Sequence, residues 1–217
     1  MLVLIAAVGS AAQAAPGALE RSGVAEALLG RWERALPRLT GANRATAYFR
    51  AITLLALGMR TEAFTVLREL RDTPGTFSGP ATQLAVSRLF AEGDYGGVVA
   101  WLDRTAPAEV QDAGDLHYAA GQSRYLLGDL AGARRDLEVV AAGPRRPYAL
   151  HTLALIHFQE GRVREAVDLL GVGVDEASAL RDSPVARALA DRLRVTRGQM
   201  LYQAGVGLSE LAEEGRR

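Results

Sequence analysis

Five glycines, Gly30, Gly58, Gly93, Gly128 and Gly161, sit in one local pattern that restricts the chain to few architectures. Seven residues before each stands a small or modest side chain: Gly23, Ala51, Val86, Gly121 and Ala154. Five residues after each stands another: Ala35, Ala63, Val98, Ala133 and Ala166. Nine residues after each is a leucine: Leu39, Leu67, Leu102, Leu137 and Leu170. Successive glycines lie 28, 35, 35 and 33 residues apart, the differences between their numbers. A period of about 34 residues holding two helices is that of stacked helical hairpins.

The physical reading of each position is direct. The small residue before the glycine lets a first helix approach a second, whose small residue after the glycine faces it. The leucine one turn further on fills the interface beside that close contact. The glycine ends the first helix, because it takes the left-handed conformation without a side-chain penalty. In two units an aspartate follows at once, in Gly93-Asp94 and Gly128-Asp129. Its carboxylate can accept from the free N–H groups that open the second helix.

The segment from Tyr118 to Pro144, YAAGQSRYLLGDLAGARRDLEVVAAGP, carries a glycine, an aromatic, a glycine-aspartate turn, an alanine and a proline in order. LALIHFQEGRVREAVDLL from Leu153 repeats it closely. In these landmarks the chain resembles the tetratricopeptide repeat family, over residues 17 to 212. The units around Gly58 and Gly93 match fairly, and that around Gly30 is short. A sixth unit is expected from Gly198 to Ala212, with its turn at Gly205. The resemblance implies an all-α solenoid of stacked antiparallel helix pairs, wound as a right-handed superhelix. Arg50, Arg124 and His157 stand where the family packs apolar side chains. Either the register is shifted there, or these side chains run along the hairpin edge with their polar ends in water.

Composition agrees with a repeat array. Alanine-rich sequence punctuated by Gly and Pro, without alternating apolar runs, argues against sheets. The formal net charge is +0, which lends no support to binding nucleic acid or another polyanion. All 25 basic residues are arginine, which a base-composition bias explains more simply than function does. With no cysteine, disulfides, thiolate catalysis and zinc ribbons are excluded together.

The N-terminus reads as an export signal. Leu2 to Val8 is an apolar run, followed by small residues and Ala12-Gln13-Ala14. Cleavage there would leave residues 1–14 as the signal peptide and Ala15 as the first mature residue. No basic residue follows Met1, and the alternative is that residues 2–14 are the apolar end of a first helix. The run is too short to span a bilayer. Breaker-rich connectors stand at Asp72 to Pro80 and Ala142 to Pro147. Between Gly173 and Pro184 the period stretches, which a longer second helix or an inserted turn would absorb. Asp182-Ser183-Pro184 reads as an N-cap followed by proline at the first helical position. The closing residues, 213–217, form a charged tail.

Nothing in the chain points to catalysis. His151 and His157 are six apart and fall on opposite sides of a helix, unlike the paired histidines of a metalloprotease. His157 and Glu160 share a face, but two ligands do not make a metal site. There is no nucleophile elbow, phosphate loop or dinucleotide fingerprint. Neither cofactor nor small-molecule substrate is implied.

What remains is the inner surface that, in tetratricopeptide arrays, the first helix of each hairpin lines. Positions three, six and ten before each turn glycine fall on one helical face. On and beside that face stand Tyr48, Gln83, Phe90, Tyr118, Gln122, Tyr125, His151, Phe158, Gln159, Gln199 and Tyr202. No arginine occupies those positions. An aromatic ladder at helical spacing serves inter-repeat packing or a binding surface, and both readings are open. The glutamines suit a groove that hydrogen-bonds a peptide backbone. The expectation is a non-enzymatic scaffold that holds a protein or peptide, in the periplasm or outside the cell, within an envelope-assembly, secretion or surface machine. The alternative is a cytoplasmic docking array for an enzyme or signalling partner on another chain.

Overall fold

The computed structural model describes residues 17–41, 43–105, 114–179 and 183–214, and side chains as far as residue 205. The expected signal peptide lies outside the described residues, as do residues 215–217 of the expected charged tail 213–217, whose first two residues continue the last helix. Every regular element among the described residues is helical. In chain order these are α1 (Ala18–Leu28), α2 (Trp32–Ala35) with a 3-10 turn at Leu36–Arg38, α3 (Arg44–Ala56), α4 (Arg60–Asp72), α5 (Ser78–Ala91) and α6 (Tyr95–Leu102). They continue as α7 (Gly114–Leu126), α8 (Leu130–Glu138), α9 (Arg146–Gln159), α10 (Val163–Ala179) and α11 (Pro184–Glu214).

The helices divide into two compact units. The first comprises residues 17–92 and 101–105, and the second residues 93–100 and those from 114 on. In the first, α1 pairs with α2, and α3 with α4, which also packs against α5. In the second, α7 pairs with α8 and α9 with α10, and α10 packs against α11. Consecutive helices therefore form antiparallel hairpins that stack on their neighbours in each unit.

All five turn glycines adopt left-handed φ values: 72° at Gly30, 78° at Gly58, 75° at Gly93, 86° at Gly128 and 77° at Gly161. A side chain there would be strained, which is why the chain reverses where it does. Asp94 and Asp129 each accept from a backbone N–H three residues on, Gly97 and Gly132, at 2.9 Å. The helix that follows each turn is thereby capped.

The interface positions behave as the repeat requires. Ala35, Ala63, Val98, Ala133 and Ala166 are fully buried, as are Ala51 and Ala154. Leu39, Leu67 and Leu170 are fully buried and Leu137 nearly so. Leu102 departs, being only half-buried, and its neighbour Trp101 takes the interior place instead. Trp101 meets Phe64 edge-on with ring centroids 5.8 Å apart, and the guanidinium of Arg71 lies 4.5 Å from its ring.

A second pairing rule emerges from the hairpins. In two hairpins the residue four before the turn glycine pairs with the residue eight after it. Glu26 of α1 receives Arg38 at 3.1 Å, and Arg124 of α7 pairs with Asp136 of α8. The same two places hold Leu54 and Val66 in α3 and α4, and His157 and Leu169 in α9 and α10. Arg124 therefore stands at an apolar position with its carboxylate supplied across the hairpin, with no shift of register. Arg50 is exposed, and His157 is half-buried.

Three expectations about spacing resolve. The first repeat, around Gly30, is short because its second helix is a single turn extended by a 3-10 turn at Pro37. The excess before Pro184 is taken up by α10, which has 17 residues against 13 in α4 and 9 in α8. Ser183 caps α11, with Pro184 opening it; Ala186 N–H donates to Ser183 Oγ at 3.3 Å. The expected turn at Gly205 is absent. α11 runs through Gly198 and Gly205 as one helix of 31 residues, so no sixth hairpin forms there. Glycine permits a turn but does not impose one; within a helix it costs only about 1 kcal/mol relative to alanine.

Candidate protein-binding surface

The residues of the expected inner stripe meet different fates. In the first unit Tyr48 is 5% exposed, wedged between Phe49 and Phe77 with ring centroids 6.0 and 5.4 Å away. Burial pushes its phenol above the ordinary tyrosine range. It is a core residue, which corrects its assignment to the surface. Phe77, from the connector before α5, fills the space that a ligand would have needed. On α5, Gln83 is exposed and Phe90 half-buried.

The second unit assembles the rest. Tyr118, Gln122 and Tyr125 of α7 are half-buried, as are His151 and Phe158 of α9, while Gln159 is exposed. Tyr118 and Tyr125 pack against the core formed by Ala133, Leu137, Val140, Ala149, Leu153 and Ile156. Phe158 packs against that of α10 and α11. Each ring is thus part anchor and part surface.

Polar side chains tie these first helices to one another. Thr152 of α9 donates its hydroxyl to Gln122 Oε1 of α7 at 2.7 Å. One turn along, Gln159 Nε2 donates to the Tyr125 hydroxyl at 3.3 Å. Tyr118 and Tyr148 lie 6.1 Å apart between ring centroids. The His151 ring and the Thr196 hydroxyl, 3.4 Å apart, extend the series to α11. Gln199 and Tyr202 stand exposed on α11. These contacts join residues at least thirty apart in sequence, so no local pattern could have announced them.

Charge borders the stripe although none of its positions is an arginine. Arg145 stacks over the Tyr118 ring at 5.6 Å and bonds Asp115 at 2.9 Å. Burial, opposed in part by Arg145, raises the Tyr118 phenol. Burial and the nearby Arg192 depress the His151 pKa, so its ring is neutral in the fold. His157 is depressed likewise, by burial and then by Arg162 and Arg134. Those two arginines share Glu160, whose carboxyl they hold below the usual range. No helix among the described residues is long and apolar enough to cross a membrane.

The helices pair and stack as the resemblance to tetratricopeptide repeats implied. Solved structures of MamA agree on the fold. MamA from AMB-1 superposes with a TM-score of 0.56 at 15% identity, covering 75% of this chain and 99% of that one. MamA from MSR-1 gives 0.55 at 15%, covering 74% and 95%. TTC0263, a thermophilic TPR protein of Thermus thermophilus, aligns more weakly, at 0.41 and 22%, covering 85% and 97%. At such identities the MamA likeness speaks for the fold alone. No family model matches the chain, and no curated protein matches it.

Proposed function

We propose that the chain is a non-enzymatic interaction scaffold that holds an extended or helical segment of a partner protein. The segment lies along the stripe of Tyr118, Gln122, Tyr125, Phe158 and Gln159. The observation that carries this reading is the link between Gln159 and the Tyr125 hydroxyl. It holds an exposed amide and a half-buried ring in fixed positions across two helices, so little side-chain freedom is left to lose on binding. The rings offer apolar contact, and their polar ends and the amides offer hydrogen bonds to a peptide backbone. A stripe without charge of its own favours a ligand with apolar side chains, bound with weak dependence on salt.

The place of action is the cell envelope or beyond, a reading supported by the apolar run Leu2–Val8 and the Ala12-Gln13-Ala14 site. N-terminal sequencing of the protein from its native cell tests it. A mature chain that begins at Ala15 is expected, and a soluble product that retains Met1 to Ala14 favours a cytoplasmic docking array instead. The surface itself is tested by the double change Tyr125→Ala with Phe158→Ala in affinity capture from native envelope extracts. Loss of the captured partner with helicity retained is the expected result. Capture that survives while the melting temperature drops would reduce the ladder to packing.

A further inference from the structure

α11 repeats the first-helix side of a hairpin with no second helix seated on it among the described residues. In the register of Gly205, Gly198 stands seven residues before and Leu201 four before. At those places α3 has Ala51 and Leu54 and α5 has Val86 and Leu89, all four buried. On α11 both are open. Nothing lies within 4 Å of a methyl group built on Gly198, and Leu201 is 53% exposed. Tyr202 beside them is 74% exposed and Val195 60%. The helix buries its other side, through Leu189, Ala190, Leu193 and Met200 in the core shared with α10. As far as Glu214 the chain does not turn back to cover the face, since it continues as α11. Five and nine residues after Gly205 stand Glu210 and Glu214, where every seated hairpin has a small residue and a leucine.

What the face would accept is written in the chain's own hairpins. Four of the five second helices bring an alanine five residues after the turn, and all bring a leucine nine after. The residue eight after answers the residue four before, charge to charge in Glu26–Arg38 and Arg124–Asp136. Leu201 is uncharged, so its counterpart is apolar. Towards its start the same face of α11 carries the exposed Arg187, while Arg194 beside it is engaged by Asp191 at 2.7 Å and by Ser178 of α10 at 3.2 Å.

We propose that the open face of α11 binds, antiparallel, a single amphipathic helix of another protein. That helix carries Ala-x-x-apolar-Leu with a carboxylate towards its C-terminal end. The alanine seats on Gly198, the apolar residue on Leu201, and the carboxylate reaches Arg187. The site is separate from the aromatic stripe of α7 and α9.

The test uses the full-length chain and two fluorescent peptides copied from its own second helices. One spans residues 161–179 and reads Ala166-Val167-Asp168-Leu169-Leu170; the other spans 128–142 and reads Ala133-Arg134-Arg135-Asp136-Leu137. By fluorescence anisotropy the first binds at least about tenfold more tightly than the second. Gly198→Trp, which fills an open space without touching the core, abolishes this binding without lowering the melting temperature. Leu201→Arg reverses the preference, because Asp136 then meets a cation. Binding of the first peptide that survives Gly198→Trp overturns the proposal, as does failure of Leu201→Arg to alter the ranking. Self-association of the wild-type chain that Gly198→Trp removes would assign the face to a second copy and overturn it equally.

Discussion

Gly121 of α7 and Leu137 of α8 are in such close approach that a methyl group built on the glycine would lie 2.5 Å from Leu137 Cγ. It would also lie 3.1 Å from the Ala133 carbonyl oxygen. The backbone oxygen cannot swing away as a side chain could. Gly121→Ala should therefore destabilise the second unit by about 1–3 kcal/mol, the usual cost of overpacking a tight interface. The same change at Gly198, where the space is open, should gain about 0.5–1 kcal/mol from helix propensity. Denaturant midpoints of the two variants should move in opposite directions.

The pair of Arg124 and Asp136 is about four-fifths buried on both sides. Removing one partner leaves a poorly hydrated charge, so Arg124→Leu or Asp136→Leu alone should cost about 1–3 kcal/mol. Making both changes reproduces the apolar pairing of Leu54 and Val66 in α3 and α4. The double variant should regain most of the loss, since a buried ion pair and its apolar replacement are often close in stability. A double-mutant cycle on urea unfolding reads the coupling directly.

Stability should fall as pH is lowered through the histidine range. His151 and His157 are depressed in the fold, by burial before all else, whereas an unfolded histidine titrates near about 6.5. Between the folded and unfolded values the unfolded chain binds more protons, so unfolding free energy rises with pH across that window. Stability is complete above about pH 6.5 and is lost towards the lowered folded values. Urea midpoints between about pH 5 and 7 should slope upward in the wild type and flatten in the His151→Gln, His157→Gln double variant. The depressed carboxyls of Glu160 and Asp72 act in a separate window, because their contribution disappears only below the carboxylate range.

Replacing the capping carboxylates should cost about 1 kcal/mol each, in Asp94→Ala and in Asp129→Ala. Asp129 also lies 3.7 Å from Arg124, so its charge acts there as well as its cap. Thermal melts compared with Asp94→Asn and Asp129→Asn separate the cap from the charge, since asparagine keeps the acceptor.

Most of the fold was legible in the sequence because each hairpin is specified by residues within some twenty positions of its turn glycine. Local rules suffice for that. They failed where tertiary neighbours decide. Leu102 satisfies the leucine spacing, yet Trp101 took the interior because Phe64 and Arg71 of α4 offer a large ring better contact. Gly205 has the sequence of a turn, but nothing on its far side rewards a reversal, and the helix ran on. Tyr48 occupies a stripe position and was claimed by Phe77, a neighbour that no periodicity reveals. The links from Thr152 to Gln122 and from Gln159 to Tyr125 depend on how one hairpin sits on the next. A sequence read one repeat at a time does not contain that information.

A chain built from near-copies of one hairpin runs the risk that a helix docks on the wrong copy during folding. The matched residues flanking the turns oppose such exchange. In α1 the acid is on the first helix, Glu26, and the base on the second, Arg38. In α7 and α8 the polarity is reversed, with Arg124 on the first and Asp136 on the second. Were α8 to dock on α1, Glu26 would face Asp136; were the segment after α2 to dock on α7, Arg124 would face Arg38. Like charges meeting in a half-buried interface discriminate against both errors at once. Each of these two hairpins thus carries a lock whose key is cut only on its own second helix, and proofreading of the assembly is distributed along the chain.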